Sequence, residues 1–298
     1  MSLSIGFIGF GEAARAFHAT LAAHDPSLRF CAHDILLGEP EMRAAMADRK
    51  VAAAETPAAL GRADWIVSAV TADQSLAAVE AVAPHLAAGR SVIDINSVSP
   101  GRKRASAALV EASGARYLDM AVMAPVHPRG HRTPVLIAGP AAAALEPELK
   151  RLDFSFRVAG DAVGAATAIK MVRSLFVKGL EAVTVECLLA ARESGCFDEV
   201  YGSLARDFPG LGWPGFAAYE FERTLRHGRR RAAEMRESAA TVSELGLNGA
   251  LAAEIAEVQE RMGAAGAAGA PPPEADALSD GIAAVVEHRL ARARAKAP

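Results

Sequence analysis

The first half of the chain alternates short apolar, β-branched segments with alanine-rich segments whose apolar positions recur at helical spacing. Strands separated by helices typically form a parallel sheet with helices on its faces, so this pattern predicts an α/β fold. The predicted strands cover residues 4–8, 29–32, 65–70, 91–95, 115–118, 135–138 and 154–158. The predicted helices between them cover residues 12–23, 75–87, 101–112 and 141–151.

The strand pattern stops after Gly160, and the second half is predicted to be helical. Residues 162–193 contain no proline and are rich in Ala, Leu, Val and Glu, which predicts one long helix. Further helices follow from Phe197, with a glycine- and proline-rich linker at 263–273 and a last helix at 274–295. The sequence therefore predicts two domains, an α/β domain over 1–160 and an all-α domain over 161–298.

Composition narrows the class of protein. The chain has 298 residues and a formal net charge of −3, so it lacks the basic excess that attracts nucleic acid or an anionic membrane. Its three cysteines form no Cys-x-x-Cys pair or Cys/His cluster, which predicts a reducing cytoplasmic compartment and no metal site. No segment approaches the roughly 20 apolar residues of a membrane span, and no secretory leader is recognised.

The first predicted strand runs directly into a glycine-rich turn, Gly-Phe-Gly-Glu-Ala-Ala, at residues 9–14. This G-x-G-x-x-A pattern is typical of Rossmann-type dinucleotide sites, in which the first glycine allows the tight turn and the second lets pyrophosphate approach the backbone. The N–H groups that open the next helix then meet the phosphate. The predicted cofactor-binding residues here are Gly9, Phe10, Gly11, Glu12 and Ala13. The alternative is a glycine turn that serves only packing.

Asp34 follows the second predicted strand, twenty positions beyond Ala14. A carboxylate there can accept hydrogen bonds from the adenosine ribose hydroxyls and repels a 2′-phosphate, so NAD is the predicted cofactor. NADP stays open because Arg29 and Arg43 are near in sequence. The simpler alternative is that Asp34 only caps a turn.

Lys170 lies on the long predicted helix and shares one face with Ser174 and Lys178. Lysines on helix faces are usually solvated, and composition alone gives no reason to prefer catalysis. The neighbours of Lys170 are mostly apolar, however, and desolvation favours the neutral amine that can accept a proton.

Four motifs in this order are far more specific than the glycine turn alone. They are residues 6–14 (GFIGFGEAA), 94–100 (DINSVSP), 119–125 (DMAVMAP) and the helix start at 164–170. In this order they resemble the β-hydroxyacid dehydrogenase family, relatives of 6-phosphogluconate dehydrogenase. The resemblance implies a Rossmann domain, a long helix and an all-α domain, with substrate bound between the domains. It also implies hydride transfer between a nicotinamide cofactor and a hydroxyacid-type substrate or its carbonyl form.

The resemblance implies roles for individual residues. Lys170 occupies the position of the family's catalytic lysine, which exchanges a proton with the substrate hydroxyl. Ser97, with Asn96 beside it, falls at the nicotinamide and substrate end, and Val70 and Thr71 are expected to border the cofactor.

The substrate segment departs from the family pattern. Relatives carry a Ser-Gly-Gly stretch whose backbone amides hold a carboxylate, whereas this chain has Met123, Ala124 and Pro125, and Pro125 has no N–H. We therefore expect a different or bulkier substrate. Further candidates for substrate binding are His127, Arg173 and Ser174, although histidines in a proline-rich loop are more often solvated structure.

Two rival functions fit the sequence as well. One is an imine reductase-like or decarboxylating relative; imine reductases of this layout generally lack a lysine where Lys170 stands. The other is a non-catalytic, cofactor-binding regulatory protein, which the changes at Met123 and Pro125 keep open. The expected partners are a small-molecule substrate and a second copy of the chain, bound through the helical domain.

Overall fold

The computed structural model describes residues 2–294. The chain divides into two compact units, Met1–Met171 and Val172–Pro298. The division falls within the long helix, whereas the sequence places the domain boundary before that helix, at residue 160. The ends of the predicted last helix and last domain, Ala295 and Pro298, lie outside the described residues.

The described part of the first unit contains one sheet of eight strands in the order β3-β2-β1-β4-β5-β6-β7-β8. The strands are β1 (Ser4–Ile8), β2 (Arg29–His33), β3 (Ala52–Ala53), β4 (Trp65–Ser68), β5 (Ser91–Asp94), β6 (Arg116–Val122), β7 (Val135–Ala138) and β8 (Phe156–Gly160). The predicted α/β fold is confirmed, with one correction: β7 is antiparallel to β6. The connection between these two strands contains no crossover helix, and a parallel pair would need one.

Five helices of the described first unit connect these strands: α1 (Glu12–His24), α2 (Pro40–Ala47), α3 (Ser75–Val82), α4 (Pro100–Glu111) and α5 (Ala142–Arg151). Successive strand residues enter two different apolar cores, as expected for a sheet covered on both faces. Trp65 and Val67 of β4 belong to one core and Ile66 to the other. The sequence pattern missed α2 and β3 because such short elements show too little periodicity.

The remaining helices are α6 (Ala165–Glu193), α7 (Phe197–Asp207), α8 (Gly215–Glu244), α9 (Ala250–Ala267) and α10 (Leu278–Arg294). The predicted linker at 263–273 is partly wrong, since its first five residues end α9. Gly263 and Gly266 allow close packing there. A Cβ on Gly263 would lie 2.5 Å from the Arg229 backbone nitrogen, and one on Gly266 would lie 2.2 Å from the Leu225 carbonyl oxygen. Within residues 2–294, no helix has the length and apolar character that a membrane span requires.

Candidate functional site

The carboxyl ends of β1, β2, β4, β5 and β6 meet at one edge of the sheet, because each strand is parallel to its neighbour in this set. In open α/β sheets, ligands bind at this edge. Most of the predicted site residues follow these five strands directly. The fold therefore brings together segments that are far apart in the sequence.

The glycine turn after β1 has the geometry that a pyrophosphate group needs. Gly9 adopts a φ of +81°, and a Cβ there would lie 2.5 Å from the Ala69 carbonyl oxygen, so only glycine fits. Gly11 is the N-cap of α1, a Cβ on it would meet no atom within 4 Å, and no side chain caps the helix. Open space beside first-turn N–H groups fits a bound phosphate. The Phe10 side chain is buried in the core, and its carbonyl oxygen accepts a hydrogen bond of 2.7 Å from Arg15 Nε, so its contact with a cofactor stays a prediction.

Asp34 is held by two backbone groups. Its Oδ2 accepts a hydrogen bond from the Phe10 N–H at 2.7 Å, and its Oδ1 accepts one from the Leu36 N–H at 2.9 Å. Asp34 therefore does cap a turn, and its carboxylate is fixed beside the glycine turn where a ribose would be recognised.

Two arginines near Asp34 in the sequence keep NADP open as the cofactor, and each of them hydrogen-bonds to another group of the protein. Arg43 donates two hydrogen bonds of 2.9 Å to the exposed Glu55 carboxylate, which balances the positive charge of its guanidinium. Arg29 donates to the Ser2 carbonyl oxygen at 3.4 Å. The preference for NAD and the ribose contact of Asp34 both stay predictions.

Asn96 links the ends of two strands. Its Oδ1 accepts a hydrogen bond from the Val70 N–H at 2.8 Å, and its Nδ2 donates to Ser68 Oγ at 2.9 Å. Because the amide is buried and bonded at both ends, it fixes the segment that carries Val70 and the exposed Thr71. Its predicted contact with substrate stays a prediction.

Lys170 and Ser97 come together although 73 positions separate them in the sequence. Lys170 Nζ donates a hydrogen bond of 2.5 Å to Ser97 Oγ. Both side chains are partly exposed, so the amine is held in place yet open to a small molecule. A lysine amine positioned in this way can give or accept a proton during a reaction.

The first unit also contains a cluster of four fully buried polar side chains, to which the sequence pattern gave no role. The members of this buried charge cluster are Asp94, Lys103, Tyr117 and Asp119. Burial, followed by the charge of Asp94, raises the pKa of the Tyr117 phenol, which therefore stays a neutral donor. One signal could have revealed Lys103, because it shares the buried face of α4 with Ala107 and Val110 at helical spacing.

The segment that carries Met123 continues β6. The Met123 N–H donates to the Pro134 carbonyl oxygen at 2.9 Å, whereas Ala124, Pro125 and His127 are exposed. His127 Nε2 lies 4.0 Å from Glu12 Oε1, so the segment approaches the start of α1. An exposed pair of this kind contributes little to stability. The substrate roles of these residues stay predictions.

Arg173 and Ser174 belong to the second unit. Arg173 is exposed, and Ser174 Oγ accepts a hydrogen bond of 3.2 Å from Lys178. Burial lowers the pKa of Lys178, which also pairs with Glu234 at 2.9 Å. Among residues 2–294, no group of three or more His, Cys, Asp or Glu side chains is arranged to hold a metal ion.

Two family profiles match parts of the chain. Residues 4–97 match the family described as NADP oxidoreductase, coenzyme F420-dependent, and residues 191–262 match a domain of unknown function, DUF1932. A curated relative, an uncharacterized 28.5 kDa protein of Methanothermus fervidus, is 26% identical over 137 residues. That match covers 46% of this chain, which spans about half (51%) of the curated relative's length.

Solved structures match over nearly the whole chain. A conserved hypothetical protein from Sinorhizobium meliloti 1021 is 32% identical, with 97% of each chain covered and a TM-score of 0.76. The conserved protein MTH1747, described as structurally similar to 3-hydroxyacid dehydrogenases, is 26% identical over 87% of this chain and 96% of its own, with a TM-score of 0.68. At 18–20% identity, 3-hydroxyisobutyrate dehydrogenases and imine reductases share the fold, with TM-scores of 0.52–0.70.

Proposed function

This chain belongs to the β-hydroxyacid dehydrogenase-like family, and we propose that it is an NAD(P)-dependent oxidoreductase acting on a hydroxyacid or its carbonyl form. The observation that carries the proposal is the 2.5 Å hydrogen bond from Lys170 Nζ to Ser97 Oγ, at the sheet edge where ligands bind in such folds. The match of residues 4–97 to an oxidoreductase family supports it.

The first unit would hold the cofactor at the glycine turn. First-turn N–H groups of α1 would bind the pyrophosphate, and the Asp34 carboxylate would accept hydrogen bonds from ribose hydroxyls, which favours NAD. The chemistry that a bound nicotinamide supplies is acceptance or donation of a hydride. The residues proposed to contact the cofactor are Gly9, Phe10, Gly11, Glu12, Ala13, Asp34, Val70, Thr71 and Ser97.

Lys170 would move the proton. In the oxidation direction its neutral amine accepts the proton of the substrate hydroxyl, while the C–H bond electrons leave as the hydride and a carbonyl forms. In the reverse direction the ammonium returns that proton. Ser97 accepts the hydrogen bond from Lys170 and so fixes where the nitrogen can meet a substrate oxygen.

The substrate would carry a larger or apolar group near the reacting carbon. Ala124 and Pro125 are exposed at the loop, and Pro125 offers no N–H to a carboxylate. The residues proposed to contact substrate are Asn96, Met123, Ala124, Pro125, His127, Arg173 and Ser174. Apolar contacts discriminate by only about 1–3 kcal/mol per methylene, so the preference should be graded along a homologous series.

The test is Lys170→Ala, assayed with NAD(H) and NADP(H) over a panel of short and branched hydroxyacids, aldehydes and cyclic imines. We expect kcat on the best substrate to fall by about two to four orders of magnitude while the Kd for NADH changes little. Lys150→Ala is the matched control, because Lys150 is an exposed lysine of the same unit that pairs with Glu146.

Three outcomes would contradict parts of the proposal. Near-normal turnover in Lys170→Ala removes this lysine from the mechanism. Turnover confined to imines favours the imine reductase alternative. A panel without turnover, together with tight NADH binding, favours the regulatory alternative.

We also propose that two copies of the chain associate through the second unit. Val172, Phe176 and Val183 form an exposed apolar stripe on α6, and Phe176 is 74% exposed. Monomeric proteins rarely expose such contiguous apolar surface. Light scattering should give twice the 31.0 kDa of the chain, and Phe176→Asp should give a monomer. A monomeric wild type would contradict this proposal.

A further inference from the structure

Lys103 is the single lysine of the buried charge cluster, and it has no exposed surface. Its Nζ donates to the Asp94 carbonyl oxygen at 2.6 Å and lies 3.0 Å from Asp94 Oδ1 and 3.6 Å from Asp119 Oδ1. Burying three charges is costly, and such groups often contribute little net stability. The arrangement therefore calls for an explanation other than stability.

One arm of the cluster fixes the segment that carries Ser97. Asp94 Oδ1 accepts a hydrogen bond from the Asn96 N–H at 2.8 Å, and Asp94 Oδ2 accepts one from the Tyr117 hydroxyl at 2.6 Å. Both carboxylate oxygens are thus committed. The backbone next to Ser97 depends on where Lys103 holds Asp94.

The other arm fixes the start of the helix that carries Lys170. Asp119 Oδ2 accepts hydrogen bonds of 3.1 Å from the N–H groups of Gly164 and Thr167, which caps α6. Gly164 has a φ of +98°, and a Cβ there would lie 3.0 Å from the Pro100 Cβ, so this entry is tightly packed. Lys170 lies one turn beyond Thr167.

We propose that Lys103 is a positioning residue that sets the distance between Lys170 and Ser97. It joins the two carboxylates that separately hold the two partners of this hydrogen bond. Without the Lys103 ammonium, the buried Asp94 and Asp119 carboxylates would repel each other, and the two segments that they hold would move apart. A misplacement of about 1 Å at a reacting group can lower turnover by about 100-fold. The inference rests on the proposed function of Lys170.

The test is a double-mutant cycle of Lys103→Met and Lys170→Ala, assayed with the hydroxyacid of the panel that gives the highest kcat/KM. We expect Lys103→Met alone to lower kcat by about 10- to 100-fold, with KM for NAD⁺ changed by less than about twofold. In the Lys170→Ala background it should cause no further loss, because it acts through Lys170.

A second measurement does not depend on a substrate. Spectra of ¹⁵N-lysine-labelled protein report the Lys170 ammonium, which can be assigned by its loss in Lys170→Ala. We expect this signal to shift in Lys103→Met while the Lys178 signal stays in place. Asp64→Asn is the control for general destabilisation, because Asp64 bonds Ser4 and Arg90 at the opposite edge of the sheet. It should change neither kcat nor the Lys170 signal.

Tyr117→Phe keeps the test open if Lys103→Met does not fold, since it removes only one hydrogen bond to Asp94. We expect it to lower kcat by about 3- to 10-fold and to shift the Lys170 signal. An unchanged Lys170 signal, or losses that multiply in the double variant, would overturn the positioning role and leave the proposed function intact. Full turnover in Lys170→Ala would overturn both.

Discussion

Both units bury charged side chains, but the two clusters connect to different parts of the protein. In the first unit, Asp94 and Asp119 accept hydrogen bonds from backbone N–H groups beside Ser97 and at the start of α6. In the second unit, Glu181 accepts its hydrogen bonds from side chains within the described residues: Arg231 donates two, and Gln259 donates one of 2.8 Å.

Buried charge therefore influences function only where it is bonded to segments that carry functional residues. Side chains that bond only to other side chains hold three helices together, here α6, α8 and α9, and their loss weakens packing. Carboxylates that bond backbone N–H groups set the course of loops and helix starts, so their loss moves whatever those segments carry. We expect the cluster around Glu181 to affect stability alone. The buried charge cluster should affect both stability and turnover.

Glu181→Ala should cause the greatest loss of stability. It leaves the Arg231 guanidinium buried without its carboxylate, which typically costs about 3–5 kcal/mol. Urea unfolding should show this loss, while kcat measured where the variant is folded stays within about threefold of wild type.

The control for that variant is Glu55→Ala, which breaks the exposed pair with Arg43 and should cost less than about 1 kcal/mol. A large fall in kcat for folded Glu181→Ala would remove the distinction between the two clusters.

The sequence could predict those parts of the fold that local pattern decides. β7 was predicted with its observed bounds because Val135–Ala138 is a short apolar run, buried throughout. The glycine turn was predictable because its motif reflects a backbone requirement that Gly9 meets with a positive φ. The antiparallel direction of β7 was not, since it depends on a connection whose path no local pattern fixes.

The candidate site was only partly predictable, for a related reason. The apolar helix setting and the family resemblance both point to Lys170, and the resemblance alone points to Ser97, but their hydrogen bond joins residues of distant elements. Lys103 stands in the charged stretch 102–104, which looks like a solvated helix face. Its partners Asp94 and Asp119 lie on two different strands, so only the folded chain shows why it is buried.

Substitution of Glu220 should give the next largest effect on stability, and this effect should depend on pH. It is 6% exposed, and burial raises its pKa from 4.5 to about 7. A raised folded pKa means that stability is fully present below about pH 4.5 and is lost as pH rises through about 7. Glu220→Gln cannot ionise, so it should be more stable than wild type at pH 8, by up to about 3 kcal/mol, and similar to wild type at pH 5.

Scanning calorimetry at the two pH values measures this difference. Glu254→Gln is the matched control, because it removes an exposed carboxylate of the same unit and should leave the pH dependence as it is. A Glu220→Gln variant that gains nothing at pH 8 would show that the second unit tolerates the buried carboxylate in its charged form.

The smallest effect is expected for Asp34, a charged side chain near the surface of the first unit. We expect this charge to select between ligands instead of determining the stability of the unit. Asp34 is partly buried and faces the glycine turn, so NADH should raise the Tm more than NADPH at equal concentration. A tenfold preference in Kd corresponds to about 1.4 kcal/mol, and Asp34→Asn should narrow it because the amide no longer repels a 2′-phosphate. Asp48→Asn, an exposed change after α2, should preserve the preference. Stronger stabilisation of the wild type by NADPH would reverse the assignment and direct attention to Arg43, whose guanidinium would then have to leave Glu55 to bind the phosphate.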